Sequence, residues 1–345
     1  MRLSQMIPQV RTAWLVATAL LFAAACAEAP PSESAAASGE RGAGDLSLGV
    51  FRIDGSRGVI DGDTIRVVGI DEPLRLIGLD TEERYSGDDE RRRAESDFER
   101  YAKERRGNRS LPVKYGTPSG EEAAAWARRF FERVSRVRVE FDRTDRTRGY
   151  FERYLVHVFA IGEGGERHFN VEAVRAGMSP YFTKYGRSLR FDDALRHAQD
   201  EARRAGLGVW AAGARSYPDY GERLAWWNDR ASAIADFDEP SDGEALPRVS
   251  LLDDGALARL EGLGGREVAL FGEIGPSSGE GPPYDVFLSH RRGRDMLLRC
   301  DDRAELRRVA PSRLRGRYVV VRGLVGVERG RPLMRARDVS SIERP

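Results

Sequence analysis

The chain is poor in cysteine, histidine and lysine. Two cysteines, Cys26 and Cys300, stand among 345 residues. Cys26 falls in a leader-like segment, so no intramolecular disulfide framework is available to the mature fold. The four histidines, at positions 157, 168, 197 and 290, lack zinc-ligand spacing, which argues against a zinc centre. Only three of the 56 basic residues are lysines (Lys103, Lys114 and Lys184), and the arginines that replace them are planar donors suited to gripping phosphate. The formal net charge of +1 predicts no overall pull on polyanions, so any affinity for nucleic acid must come from a local patch.

What is present is ordinary for a soluble globular protein: 41% hydrophobic and 32% charged residues. The length suggests two domains. The apolar run at residues 13–25, preceded by Arg2 and Arg11, is too short to span a bilayer and is followed by small residues, as in a secretory signal. Its end, Phe22-Ala23-Ala24-Ala25-Cys26, resembles a bacterial lipoprotein box. Residues 1–26 are therefore expected to be a signal peptide of lipoprotein type, with a lipidated Cys26 as membrane attachment and an extracytoplasmic location. Residues 27–45, rich in Ala, Ser, Pro, Glu and Gly, read as a flexible tether.

From residue 46 short strand-like runs dominate: Thr64–Val68, Leu74–Leu79, Val137–Phe141 and Tyr154–Ile161, each bounded by Gly, Asp or Pro. Residues 119–134 carry apolar side chains at helical spacing, with Ser119 as the expected N-cap and Glu122 completing a capping box. Two further helices are expected near 170–176 and 188–205. The fold class is a β-barrel with helices (α+β), of OB type. Residues 211–245, with Pro218, a Trp226-Trp227 pair and an acidic, Pro-containing end, read as a linker. Strand patterns then resume, predicting a second small OB-like barrel over 246–345.

Four clusters bear chemistry. Asp61-Gly62-Asp63-Thr64 places two carboxylates around a glycine at a strand junction, where a hairpin turn is the simpler explanation if it is taken alone. In Leu74-Arg75-Leu76, strand alternation turns Arg75 away from its apolar neighbours, and Asp80-Thr81-Glu82-Glu83 follows just beyond the strand. The segment from Asp145 to Arg153 brings a second arginine to the start of an apolar strand. The fourth, Asn170-Val171-Glu172-Ala173-Val174-Arg175-Ala176-Gly177, is a helix expected to pack beside the barrel.

In this order the clusters resemble the staphylococcal nuclease (thermonuclease) family over residues 46–210. The resemblance implies an OB-fold, calcium-dependent phosphodiesterase that cuts DNA or RNA with low sequence specificity, leaving 3′-phosphate ends. Carried over residue by residue, it implies Asp63, Asp80 and the Thr81 carbonyl as calcium ligands, with Asp61 as an outer-shell carboxylate. It implies Glu83 as general base or water orienter, Arg75 and Arg153 on the phosphate, and Tyr181 and Tyr185 against a nucleotide base. Calcium, a hard cation, suits these oxygen donors. Stabilising the charge that builds on phosphate oxygens suits two guanidinium groups.

The chain also departs from the family. Glu82 stands where proline is usual, which predicts a looser catalytic turn. Glu152 replaces the glycine before the second arginine, where it is expected to pair with Arg153. Residues 84–111 are a charged insertion beside the site, expected as a solvated helix or flap, or as an arginine-rich guide for the strand. Lys114-Tyr115-Gly116 resembles the family's own end of this loop. The second barrel carries a net charge of +5 over residues 246–345 and resembles OB-fold nucleic-acid-binding domains, with Tyr284 or Phe287 as stacking candidates; the simpler alternative is an accessory barrel that only packs on the first. Cys300 reads as a small buried hydrophobe. No protein partner is predicted. The competing reading is a catalytically inactive nucleic-acid- or protein-binding module on the same barrel, which the loss of Asp63, Asp80, Arg75, Glu83 or Arg153 would favour; all five are present.

Overall fold

A computed structural model describes residues 46–239, 245–289, 292, 293 and 295–345. The expected signal peptide, Cys26 and the tether lie outside the described residues. Within them no helix is long and apolar enough to cross a membrane.

The first barrel begins with β1 (Ser47–Arg52), β2 (Thr64–Ile65) and β3 (Leu74–Leu76). Two helices, α1 (Asp88–Ser96) and α2 (Phe98–Arg106), form the insertion, and α3 (Pro118–Phe131) leads to β4 (Arg136–Glu140), β5 (Leu155–Gly162) and β6 (Gly165–His168). The sheet runs β1-β4-β5-β3-β2, with β6 on β5. β3 and β5 are parallel, while β2–β3, β4–β5 and β1–β4 are antiparallel. The Val68 N–H donates to the Arg52 carbonyl at 2.9 Å, linking the chain after β2 to the end of β1. Ile65, Leu74, Leu76, Phe131 and Val158 fill the centre at 1% exposure or less. Each such side chain contributes about 1.5–3 kcal/mol by leaving water.

Helices α4 (Phe169–Arg175) and α5 (Asp192–Ala205) pack beside this barrel. Asn170 explains its place in the fourth cluster. Fully buried, it donates to the carbonyls of Ile77 (2.8 Å) and Val156 (3.1 Å) and accepts from Val158 N–H (3.0 Å). It thus ties α4 to β5 and to the chain leaving β3, satisfying groups that burial would otherwise leave unpaired. A second polar chain joins the half-buried His168 to the buried His157, Asp142 and Ser188. His168 Nε2 lies 3.2 Å from His157 Nδ1, His157 Nε2 lies 3.0 Å from Asp142 Oδ1, and Ser188 Oγ donates to the same oxygen at 2.6 Å.

Helix α3 starts earlier than its sequence pattern suggests. Thr117, not Ser119, is the N-cap: its Oγ1 accepts from Gly120 N–H at 3.0 Å, and Pro118 occupies the first turn, where its missing N–H costs nothing.

The segment read as a linker contains a 19-residue helix, α6 (Tyr220–Asp238). Its buried stripe includes Arg223, Trp227, Arg230, Ala231, Ile234 and Phe237. Arg230 donates to the Gly316 carbonyl (2.7 Å) and Glu273 (2.8 Å) and stacks on Tyr318, while Phe237 stacks on Phe271. Helix α6 therefore joins the two barrels as a packed element.

The second barrel follows: β7 (Arg248–Ser250), α7 (Ala256–Glu261), β8 (Glu267–Ser278), β9 (Tyr284–Ser289), β10 (Met296–Cys300), α8 (Arg303–Val309), α9 (Pro311–Leu314), β11 (Tyr318–Glu328) and β12 (Arg331–Glu343). The pairing β8-β9-β10-β12-β11 closes back on β8, with β10 and β12 parallel. Both barrels thus share one strand order, first-second-third-fifth-fourth, with a helix between the third and fourth strands; this is the five-stranded OB-type arrangement. Cys300 is a buried member of the second core. Tyr284 is also core, 6% exposed, and so is not a stacking platform; Phe287 lies half-buried on the outer side of β9. Arginines of both β10 and β12 meet acids: Arg299 pairs with Asp285 and Glu328, and Arg335 with Asp301 and Glu328.

Candidate active site

The barrel register brings three of the clusters to one edge. Thr64 pairs with Arg75, and Arg75 with Leu155. The Leu76 N–H donates to the Asp63 carbonyl at 3.0 Å, and the Arg75 N–H to the Tyr154 carbonyl at 2.9 Å. Residues 63, 75 and 153 therefore stand on adjacent strand ends although up to 90 positions separate them in sequence.

Asp63 and Asp80 are 6% and 8% exposed. Arg75 forms an ion pair with Asp63 and donates to Asp80 Oδ1 at 2.7 Å. Asp63 also accepts from Thr81 N–H (3.1 Å) and Thr64 Oγ1 (2.9 Å). The Asp80 N–H is held by Ser179 Oγ at 2.9 Å. Asp61 accepts from Asp63 N–H at 3.1 Å, closing the turn. Gly62 is required at its centre because a Cβ there would come within 2.5 Å of Thr81.

Electrostatics separates the paired carboxyls. Burial raises the pKa of Asp61, and the neighbouring Asp63 charge raises it further. Burial opposes ionisation of Asp63 too, but Arg75 and Lys114 outweigh it and hold that carboxyl below the ordinary range. Arg75 and Lys114 are in turn held more firmly protonated, the surrounding carboxylates overcoming their own desolvation.

Lys114 belongs to this site, a role its sequence motif did not suggest. Its Nζ donates to Asp80 Oδ1 at 2.8 Å and Glu83 Oε1 at 3.0 Å. Its place among only three lysines was the available signal. Glu83 is exposed, and its backbone is fixed: its carbonyl accepts from Thr117 N–H at 3.0 Å, and a Cβ on Gly120 would lie 2.0 Å from that carbonyl. Arg153 is half-buried, with Thr64 Oγ1 at 3.5 Å and the Phe151 ring beneath it.

The turn containing Glu82 is anchored, contrary to expectation. Glu82 is 2% exposed. It accepts from Tyr217 N–H (2.6 Å), Tyr220 Oη (2.6 Å) and Thr117 Oγ1. Burial pushes its carboxyl up to about 7 against the pull of those donors. Side-chain hydrogen bonds thus do the work expected of a proline ring. Glu152 takes a left-handed backbone conformation (φ 63°), which explains why glycine is usual there, and Arg148 donates to its carbonyl.

The insertion is docked. Tyr101, Ala94 and Ala102 pack with Tyr115, Tyr217 and Tyr220, and Tyr101 Oη donates to the Gly116 carbonyl at 2.9 Å. Several of its arginines meet acids: Arg91 meets Glu121, Arg105 meets Glu90, and Arg106 meets Asp219 and Glu222.

A cleft of about 700 Å³ is lined by Asp63, Arg75, Asp80, Glu83, Lys114 and Arg153 among others. Tyr185, 38% exposed, lines it as well, with Lys184 over its ring and over Trp226. Tyr181 does not line it. At 3% exposure it packs in the barrel core, its hydroxyl bonded to Asp192 and Ser188.

Two buried carboxylates sharing cationic partners are donors of the kind a hard cation takes. Among the described residues no three His, Cys, Asp or Glu side chains form a metal-holding group. An ion taken by these two carboxylates would need further oxygen donors to complete its shell.

The strand order defines an OB-type barrel whose edge cleft sets carboxylates against guanidinium groups. Residues 64–212 match the family described as Staphylococcal nuclease homologue. The chain thus carries a staphylococcal-nuclease-like domain, of a nuclease family. The match starts at β2 and ends before α6, leaving β1, α6 and the second barrel outside it.

Proposed function

We propose that the chain is a calcium-dependent phosphodiesterase that hydrolyses DNA or RNA with low sequence preference. The observation that carries this reading is the convergence of Asp63, Asp80, Arg75, Lys114, Glu83 and Arg153 on one cleft. Asp63, Asp80 and the Thr81 carbonyl are the residues to hold the ion, with Asp61 outside them. When bound, calcium supplies Lewis-acid stabilisation of the phosphate oxygens.

The chain's own groups do the rest. Glu83 orients a water and accepts its proton as the oxygen attacks phosphorus. Arg153 and Arg75 share the charge developing on the equatorial oxygens. The bond from phosphorus to the 5′-oxygen breaks, that oxygen taking a proton from solvent, leaving a 3′-phosphate and a 5′-hydroxyl. Tyr185 offers an aromatic face to a base. Arg75 pairs with both Asp63 and Asp80, and an ion held by those carboxylates would leave its guanidinium available to the phosphate.

The leader residues 1–26 support export and attachment to a membrane through a lipidated Cys26. The function is tested by incubating the chain, from residue 30 onward, with 5′-labelled denatured DNA and calcium. Fragments ending in 3′-phosphate are expected; intact DNA and RNA would favour the binding-module alternative.

A further inference from the structure

Arg153 arrives at the cleft on a loop that the second barrel holds. The loop runs from Asp142 to Arg153, between β4 and β5. Its base is pinned to β5, with Leu155 N–H donating to the Thr147 carbonyl and Gly149 N–H to the Arg153 carbonyl, both at 2.9 Å. Its outer side is taken by residues beyond the nuclease-like domain. Thr147 donates to Asp254 Oδ2 twice, from N–H at 2.9 Å and from Oγ1 at 2.6 Å. The Asp254 N–H returns a bond to the Asp145 carbonyl at 2.7 Å.

Arg146, 8% exposed, bridges Asp253 (2.7 Å) and Asp238 of α6 (2.5 Å). Arg143 reaches Asp238 at 2.9 Å. Further along the loop, Arg292 N–H donates to the Tyr150 carbonyl at 2.9 Å. Charge-assisted bonds to partly buried carboxylates are the stronger kind, and they fix orientation. The Arg153 guanidinium, by contrast, is lightly held at its own end, with Thr64 Oγ1 at 3.5 Å. Its position is therefore set through the backbone of its loop.

We propose that the second barrel completes the nuclease site by clamping this loop, with Asp254 as the principal positioning residue for Arg153. The proposal rests on the reading of Arg153 as a phosphate-binding group, and it assigns the C-terminal barrel a part in catalysis through geometry. Displacing a catalytic group by about 1 Å costs up to about a hundredfold in rate.

The test uses the chain from residue 30 onward and its Asp254→Ala, Asp254→Asn, Arg153→Ala and Arg153→Ala/Asp254→Ala variants. Asp254→Ala should lower kcat about ten- to a hundredfold with KM within about twofold. Asp254→Asn, whose single oxygen accepts both Thr147 bonds, should stay within about threefold of wild type. The double variant should be no slower than Arg153→Ala alone, since a positioning residue has nothing left to position.

Hydrogen exchange supplies a readout that does not depend on activity. Amides 147, 149 and 155 should exchange at least about tenfold faster in Asp254→Ala, while those of β4 remain unchanged. If Asp254→Ala does not fold, Thr147→Val, which removes one of the two bonds, takes its place with a smaller effect in the same direction. Unchanged kcat and exchange, or a loss that adds fully to that of Arg153→Ala, overturns the proposal. A folded wild type without activity contradicts the proposed function instead, and the exchange measurement still decides the clamp.

Discussion

The Lys114 ammonium stands 3.0 Å from Glu83 Oε1 and, by a second bond, 2.8 Å from Asp80 Oδ1. One side chain thus neutralises both a proposed metal ligand and the proposed base. Removing that charge leaves more negative potential on the carboxylates. Lys114→Gln is expected to tighten calcium binding about fivefold, roughly 1 kcal/mol for a unit charge beside a partly solvated site. Calcium titration by calorimetry checks this; weaker or unchanged binding contradicts it.

Calcium itself should act on stability. If Asp63 and Asp80 hold it in the native state alone, saturation at a hundred times the Kd adds about 2.7 kcal/mol. Thermal melts with and without chelator are expected to differ by several degrees in wild type and to coincide in Asp63→Asn/Asp80→Asn. A shift that persists in the double variant would place the ion elsewhere.

Glu82 should behave as a structural anchor of the catalytic turn. Glu82→Ala leaves three buried donors unpaired, and a loss of about 3 kcal/mol or more is expected at about 1 kcal/mol per unmade bond. Glu82→Gln, which keeps acceptor capacity, should recover part of it. Denaturant unfolding of the three proteins measures both effects.

Glu152→Gly relieves a left-handed backbone position. The variant is expected to gain about 1 kcal/mol, the conformational cost of a side chain there less the added freedom of the unfolded chain. A destabilised variant would mean that the Glu152 side chain contributes more than the strain costs.

Stability should fall in mild acid. Burial lowers the His157 pKa, and it brings that of His168 down to about 3, helped by the neighbouring positive charges. A base whose folded pKa is depressed binds its proton more readily when unfolded. Its contribution is therefore complete above the unfolded value of about 6.5 and declines as pH falls toward about 3. At pH 5 the loss is about 2 kcal/mol for His168. Melting curves at pH 7 and pH 5 for wild type and His168→Phe test it, the variant being expected to lose less on acidification.

Much of the first barrel is legible in the sequence because its signals are local. Alternation in Leu74-Arg75-Leu76 places Arg75 on the cleft side, and the Asp-Gly-Asp-Thr turn brings Asp63 to the same edge. The elements that escape the sequence are those whose polar groups are satisfied at long range. Helix α6 reads as a linker because Pro218, the Trp226-Trp227 pair and the acidic, Pro-containing end mark a composition shift, and only the fold reveals the Tyr217 ring, the Gly316 carbonyl and Glu273 that accommodate its buried Arg223 and Arg230. Tyr181 and Tyr185 are alike in sequence and differ only in which side of the chain faces the core. Asp253 and Asp254 carry no motif, and the Lys114-Tyr115-Gly116 motif marks only a loop end; their roles come from partners 31 to 107 residues away.

Hydrolysis of denatured DNA by the chain from residue 30 onward, in calcium, in excess chelator and with the Glu83→Gln variant, tests the central claim most directly. The account predicts cutting in calcium that collapses in both controls, by about a hundredfold or more for loss of the general base. Intact DNA and RNA with well-folded wild type in calcium, or undiminished cutting in chelator or by Glu83→Gln, would contradict it.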